Sequence, residues 1–480
     1  MTPQMTKTET EHGPLLALFK SALGASAESC LPLKGDGSSR RLFRLSGGGR
    51  TAIGVLGPDA AENRAFLGFS RHFRSQGLPV PEIYAEDARG GAYLEEDLGD
   101  LTLFDQLLAD RSGADVGKKT VGLYRRVLEI LPRFQVAAAK TLDYSLCYPR
   151  AAFDRQSMMW DLNYFKYYFL RLAQVPFSEQ ALEEDFERFA GFLLEARRDF
   201  FLYRDFQSRN IMIRGGEPFF IDYQGGRKGA LQYDVASLLF DAKADLPSEL
   251  REELLASYLD AAGGQEKIDR AAFMRHYHGF VYIRILQALG AYGLRGFYER
   301  KAHFLQSIPY AVRNLEFLLR TVELPVELPE LTAVFRRLVG SSMLRQFGDA
   351  RLGLTVRVRS FSYREGLPSD EKGHGGGFVF DCRALPNPGR FERYAKLTGK
   401  DGDVVDFLTA ESEVVEFLDG VFALVARSVE NYRSRNFTDL QVAFGCTGGR
   451  HRSVYCAERL AQRLKKLGVS VELEHRSLDR

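Results

Sequence analysis

The sequence predicts two folded parts: a bilobal α+β domain, in which a strand-rich lobe leads into a helical one, followed by a small α/β domain. Three observations carry this. Strand-like apolar stretches dominate up to residue 100. Helical periodicity then prevails to about residue 321, broken by one island of short strands around 200–222. From residue 352 strands and helices alternate, as a parallel or mixed sheet requires. With 480 residues, 45% of them hydrophobic and 12% aromatic, the chain can fill more than one core.

Taken in order, residues 1–13 are polar and lack an apolar signal core, so they are expected to form a tail. Residues 14–100 form the first lobe: a short helix, strands over 42–45, 51–55 and 92–95, and a turn at Gly47-Gly48-Gly49. A helix is expected over 60–76, stopped by Gly77 with Pro79 and Pro81 beyond it. Residues 101–321 form the helical lobe. Residues 322–350, with Pro325, Pro329 and a helical stretch ending near Gly348, connect to the last domain, 351–480. There the strands are expected over 354–360, 378–381, 440–444 and 469–475, and the helices over 412–432 and 453–467.

Composition excludes several functions. A net charge of +2 with both signs mixed makes no case for a nucleic-acid coat or a binder of acidic membranes. The five cysteines form no C-x-x-C pair, which argues against a thiolate zinc site, and an odd, scattered set fits a reducing compartment. No run of about 18 apolar residues is present, so no membrane span is expected. The expectation is a cytoplasmic enzyme without a membrane partner. The sequence carries no signal for an oligomeric state.

The chemistry is concentrated in Tyr203-Arg204-Asp205-Phe206-Gln207-Ser208-Arg209-Asn210 and Ile221-Asp222-Tyr223. Asp205 follows an apolar strand, Asn210 comes five residues later, and Asp222 ends another apolar strand. This D-x-x-x-x-N … D layout is that of protein-kinase-like phosphoryl transfer: the first acid takes a proton from an alcohol, while the amide and second acid hold Mg2+ on ATP. Tyr203, Arg209 and Asp234 are expected to brace the loop, Asp234 either from behind it or as a helix N-cap. The segment Gly37-Ser38-Ser39-Arg40-Arg41 can cover phosphates. Glu95, Asp97 and Leu98 lie in the inter-lobe connector, whose backbone would receive adenine. The strand over 51–55 lacks the usual phosphate lysine, for which Arg40 or Arg41 can substitute. Without that lysine, Glu62 is expected to face solvent.

A second anion site is expected at Gly445-Cys446-Thr447-Gly448-Gly449-Arg450-His451-Arg452-Ser453, between an apolar strand and a helix. Exposed N–H groups and the helix dipole favour negative charge there, and Thr447, Arg450, His451 and Arg452 add donors. The same loop spells C-x5-R-S, the layout of a cysteine phosphatase, although Gly445 stands where such loops carry histidine. Arg459, Arg463 and Lys466 fall at helical spacing and read as a solvated face rather than an RNA-binding stripe.

Residues 14 to about 320 resemble the aminoglycoside phosphotransferase-type kinases, and among them the bacterial N-acetylmuramate/N-acetylglucosamine anomeric kinases of cell-wall recycling. The resemblance rests on 37–44, 94–100, 204–212, 221–225 and 233–239. It implies ATP- and magnesium-dependent phosphorylation of a small sugar, at the anomeric hydroxyl of an amino sugar, with Tyr203 replacing the family's usual histidine. Residues 352–480 resemble the C-terminal domain of the RapZ family of RNase adapters, through 360–368, 380–383, 385–388, 397–399 and the Cys446 loop. That likeness implies an amino-sugar-phosphate pocket lined by Arg364, Cys446, Thr447 and Arg452, and an adapter that can contact RNA and protein. Gly389 replaces a family histidine, and a kinase replaces the family's N-terminal nucleotide-binding domain, which sets the RNA role in doubt. A catalytically weak, kinase-fold regulator is the alternative to an active kinase.

Overall fold

The computed structural model describes residues 7–33, 39–87, 90–112, 115–347, 354–368, 377–434 and 439–478. By packing, the chain divides into two compact units. One comprises Met1–Tyr164, Pro176–Ala288 and Tyr310–Gly340, and the other Phe165–Val175, Leu289–Pro309 and Ser341–Arg480. The division is thus not contiguous in sequence.

The first unit begins with an antiparallel five-stranded sheet in the order β1-β2-β3-β5-β4. Its strands are β1 (Ser29–Pro32), β2 (Arg41–Gly47), β3 (Arg50–Leu56), β4 (Ile83–Glu86) and β5 (Ala92–Glu96). Gly48 and Gly49 both have positive φ (+58° and +73°), so they form the two-residue loop that matches strand twist between β2 and β3. One face of the sheet packs Leu45, Ala52 and Leu94 against Leu15 and Phe19 of the first helix. Against the strands runs the helix Ala60–Ser75, whose N-cap Asp59 accepts from the N–H groups of Ala61 (2.9 Å) and Glu62 (3.2 Å). Its buried stripe of Ala65, Phe66, Phe69 and Phe73 has the expected helical spacing. The sequence reading missed β1 and β4, which are four residues long and mostly half-buried, and so carry no clear alternation.

A minimal hairpin, β6 (Arg111–Ser112) and β7 (Asp115–Val116), opens the helical lobe. Within that lobe, β8 (Phe200–Leu202) pairs antiparallel with β11 (Arg227–Gly229), and β9 (Ile211–Arg214) with β10 (Glu217–Phe220). The two ladders close off the loops that carry Asp205, Asn210 and Asp222. Packed behind them is the helix Gln232–Leu239, buried along its whole length.

The second unit contains a parallel sheet in the order β13-β14-β12-β15. Its strands are β12 (Thr355–Ser362), β13 (Gly377–Asp381), β14 (Asp439–Cys446) and β15 (Ser470–His475). The helices Gly402–Ala410, Ser412–Ser434 and Arg452–Lys466 belong to the same unit, and Val404, Val425, Val442 and Leu460 meet in its core. The fold class is therefore kinase-like α+β followed by α/β. Among the described residues no helix is long and apolar enough to cross a membrane.

Candidate active site and a second anion loop

Every group of the first site lies within the first unit. Asp205 follows β8, and Asp222 follows β10 with φ +70°, a left-handed conformation that a short polar side chain tolerates. Asn210 joins the two: its Nδ2 donates to the carbonyl of Asp205 (2.8 Å) and to Oδ2 of Asp222 (3.1 Å). With both amide protons spent there, the Asn210 oxygen is left as an acceptor. Oδ1 of Asp222 accepts from Gln224 Nε2 (2.9 Å) and from Arg40 Nη2 (2.8 Å). Burial, and next the charge of Asp222, push the Asp205 carboxyl above the usual carboxylate range, against the pull of Arg204.

Arg40 stands where the missing lysine would act. Its Nε lies 3.7 Å from Glu62 on the helix Ala60–Ser75, so Glu62 pairs with Arg40 and does not face solvent as expected. Burial opposes the Arg40 charge, but Tyr93, Asp222 and Glu62 outweigh it and hold the guanidinium firmly protonated. Arg41 is exposed, as is Ser39, while Gly37 and Ser38 lie outside the described residues. Asp97 pins the connector: it accepts from Arg44 Nη2 (3.1 Å) and from the Gly99 N–H (3.0 Å). Leu98 is buried beside it.

The loop is braced from behind. The buried Asp234 carboxylate accepts from the backbone N–H of Tyr203 (2.9 Å) and Arg204 (3.0 Å) and from Gln135 Nε2 (2.8 Å). Burial pushes this carboxyl up to about 7, with the three donors acting the other way. The Tyr203 hydroxyl donates to the Ile221 carbonyl (2.6 Å), so the ring that replaces histidine ties the Asp205 loop to the segment before Asp222. Arg209 is exposed and lies over the Phe104 ring (4.5 Å), packing the loop's outer side rather than its interior.

In the second unit the anion loop joins β14 to the helix Arg452–Lys466, at the carboxyl ends of the adjacent parallel strands β12 and β14. Arg364, Thr447, Gly448 and Arg450 are exposed. Gly449 has φ +65°, and a Cβ on it would meet Ser477 Oγ at 2.3 Å, so only glycine fits. The imidazole of His451 bonds the Tyr394 carbonyl (3.0 Å). Two expectations are corrected. Cys446 is buried, with its sulfur 3.1 Å from Ser453 Oγ. Arg452 is buried too, donating to the carbonyls of Arg383 (2.7 Å) and Leu385 (2.9 Å). An inaccessible thiol and an arginine spent on backbone cannot form a C-x5-R phosphatase site. Gly389 faces His451, whose ring atoms lie 3.3 Å from where a Cβ would stand, so a side chain here would crowd that imidazole. Arg459 lies over Tyr455 (5.0 Å), and Arg463 over Phe422 (4.2 Å) and 3.4 Å from Asp419, which leaves neither for an RNA stripe.

Residues 29–274 match the family model of the phosphotransferase enzyme family. The chain belongs to that family. Residues 354–479 match the RapZ C-terminal domain. A nucleotide-binding protein of Thermotoga neapolitana is 39% identical over 145 residues, which is 30% of this chain and 48% of that protein. One of Nitrosococcus oceani is 32% identical over 250 residues, covering 51% of this chain and 81% of that protein. The chain spans about half the length of the first curated relatives it matches. Among solved structures, an ethanolamine kinase of Plasmodium vivax aligns with a TM-score of 0.44 at 13% identity, over 60% of this chain and 81% of that one.

Several members of this phosphotransferase's site were not read from the sequence. Arg204, at φ +85°, forms a two-pronged pair with Asp161 (2.7 and 2.6 Å) and also donates to the Tyr233 hydroxyl (2.7 Å). Asp161 lies on a helix 43 residues earlier, so no local motif announces it. Gln135 sits in a wide helical turn, Arg133–Ala137, and is itself held by the Tyr258 hydroxyl (2.6 Å). Arg227 is buried close to Asp205, and among the described residues its side chain donates to carbonyls, of Gly225 (2.9 Å) and Tyr148 (3.5 Å).

Proposed function

We propose that the protein transfers the γ-phosphoryl group of ATP to a hydroxyl of an amino sugar, at the anomeric position, in the cytoplasm. The observation that carries this reading is the convergence of Asp205, Asn210 and Asp222 opposite Arg40 in one cleft. Asp205 orients the acceptor hydroxyl and receives its proton as the new P–O bond forms and the bond to the departing ADP breaks. Arg40 offers its charge to the phosphates. The donor set fits Mg2+: the free Asn210 oxygen and the Asp222 carboxylate are hard ligands. Bound there, the ion offsets phosphate charge.

Arg227 bears on the acceptor. A buried guanidinium without an ion pair among the described residues is costly, and here burial and then the neighbouring Arg204 weaken its hold on its proton, against the pull of Asp161, Tyr233 and Asp205. An anionic substituent on the substrate would complete it, which favours N-acetylmuramate, with its carboxylate, over N-acetylglucosamine. Both sugars, incubated with ATP and read by phosphorus NMR, test the reading. Anomeric phosphate should form on N-acetylmuramate, and in Arg227→Leu the KM for it should rise about a hundredfold while that for N-acetylglucosamine stays within a few-fold. No phosphorylated sugar from any amino sugar would refute the proposal.

The C-terminal unit, on this reading, senses an amino-sugar phosphate. Exposed Arg364 and Arg450, neither with an ion pair among the described residues, flank a loop of backbone N–H groups. Calorimetry with amino-sugar phosphates should show binding that Arg364→Ala with Arg450→Ala weakens at least tenfold. Equal affinity in wild type and double variant would exclude this site.

A further inference from the structure

Three acids in a row lead from β5 into the connector, and two are spoken for. Glu96 pairs with Arg214, and Asp97 with Arg44. The Glu95 side chain has neither a hydrogen bond nor an ion pair among the described residues, and its Oε2 is closed off from solvent. Strand alternation settles which way it faces. In β5, Leu94 points into the core formed with Leu15 and Phe19, so Tyr93 and Glu95 share the opposite face. That face is the cleft side: Tyr93 stacks on Phe66 (5.4 Å between ring centres), and Phe66 on Tyr223, the residue after Asp222 (5.1 Å). Glu95 is the last residue on this face before the connector. The charged and titratable groups around it are Arg40, Asp222, Tyr93 and Tyr223, and Arg40 is already engaged with Asp222 and Glu62.

A closed-off carboxyl oxygen with no partner is costly unless a ligand supplies one. We propose that the Glu95 side chain reads the hydrogen-bonding group at C6 of a purine base, the amine of adenine or the oxygen of guanine, while the connector backbone takes the neighbouring ring edge. This deepens, and rests on, the phosphoryl-transfer reading above. Burial, opposed by Arg40 and reinforced by Asp222, pushes the Glu95 carboxyl up to about 8. At neutral pH it therefore carries its proton and offers one donor beside one acceptor. Such a group accepts from an amine or donates to a carbonyl oxygen with equal ease.

Calorimetry of the full-length protein at pH 7 with ATP, GTP and purine riboside triphosphate, which lacks any group at C6, tests this. Wild type should bind ATP and GTP about tenfold more tightly than the unsubstituted purine. Glu95→Gln, whose amide also pairs a donor with an acceptor, should keep that preference. Glu95→Ala, which removes an unpartnered group, should bind all three nucleotides alike. Binding of all three with preferences untouched by Glu95→Ala overturns the role of Glu95 alone. Failure of wild type to bind any of them overturns the phosphoryl-transfer reading and this inference together.

Discussion

Asp205→Asn lowers turnover with the best acceptor by about a thousandfold, within the 10²–10⁴ that a positioned general base contributes, and leaves nucleotide affinity within about twofold. The amide keeps the size of the carboxyl but cannot take the proton of the acceptor hydroxyl. Nothing else in the loop has to move. The Asn210 contact is to the Asp205 carbonyl rather than to its side chain, and the brace from Asp234 holds the backbone of Tyr203 and Arg204. Steady-state rates together with calorimetry of a nucleotide analogue separate chemistry from binding. A variant retaining more than a tenth of wild-type turnover would remove Asp205 from the role of base. Asp222→Asn differs, because Asp222 touches Arg40, Asn210 and Gln224 at once. There nucleotide binding falls together with turnover.

What the sequence makes legible follows from how local each feature is. Gly-Gly between two alternating stretches announces the β2–β3 hairpin, and a stripe of phenylalanines ending at Gly77 announces the helix Ala60–Ser75. Both signals lie within a few residues of what they specify. The strand–loop–helix signature around residue 446 is local as well, and it gives the place of the second anion loop. It does not give the direction of a side chain. Whether Arg452 reaches a ligand or a pair of carbonyls is decided by residues 383 and 385, some seventy positions away. The same limit hides the Arg204–Asp161 pair, and it misplaces Glu62, whose partner Arg40 is the residue just before β2 rather than one on the strand that usually carries the lysine. Glu95 shows the opposite case. Its neighbours in sequence look like one acidic run, and only the pairing of two of them shows that the third is unpartnered.

Asp234→Asn destabilises the first unit, because buried donors left without an acceptor cost about 1–3 kcal/mol each, and the loss is smallest at pH 8, where the wild type itself carries the cost of ionising a carboxyl that burial pushes up. At that pH the carboxyl, which burial pushes up to about 7, is ionised and accepts from three N–H groups. An amide in its place presents two hydrogens of its own to donors on both sides, so at least one of the Tyr203, Arg204 and Gln135 bonds is lost and replaced by repulsion. The consequence extends to chemistry, since Tyr203 and Arg204 are the two residues before Asp205. Arg204 is held at φ +85°, a conformation that persists only where its surroundings impose it. With one anchor gone the loop relaxes, the Asp205 carboxyl leaves its place, and turnover falls about tenfold at temperatures where the protein is still folded. Urea unfolding measures the first effect, and the rate well below the unfolding temperature measures the second. Gln135→Ala discriminates between bracing and mere packing: it removes one of the three donors, and the Tyr258 hydroxyl loses its nearer acceptor and keeps only the Leu231 carbonyl at 3.4 Å. If Asp234 acts through the loop, Gln135→Ala lowers stability by a similar amount but affects turnover less, because both backbone anchors remain. Equal losses of turnover in the two variants would mean that the carboxylate fills space in the helical lobe and does not position Asp205.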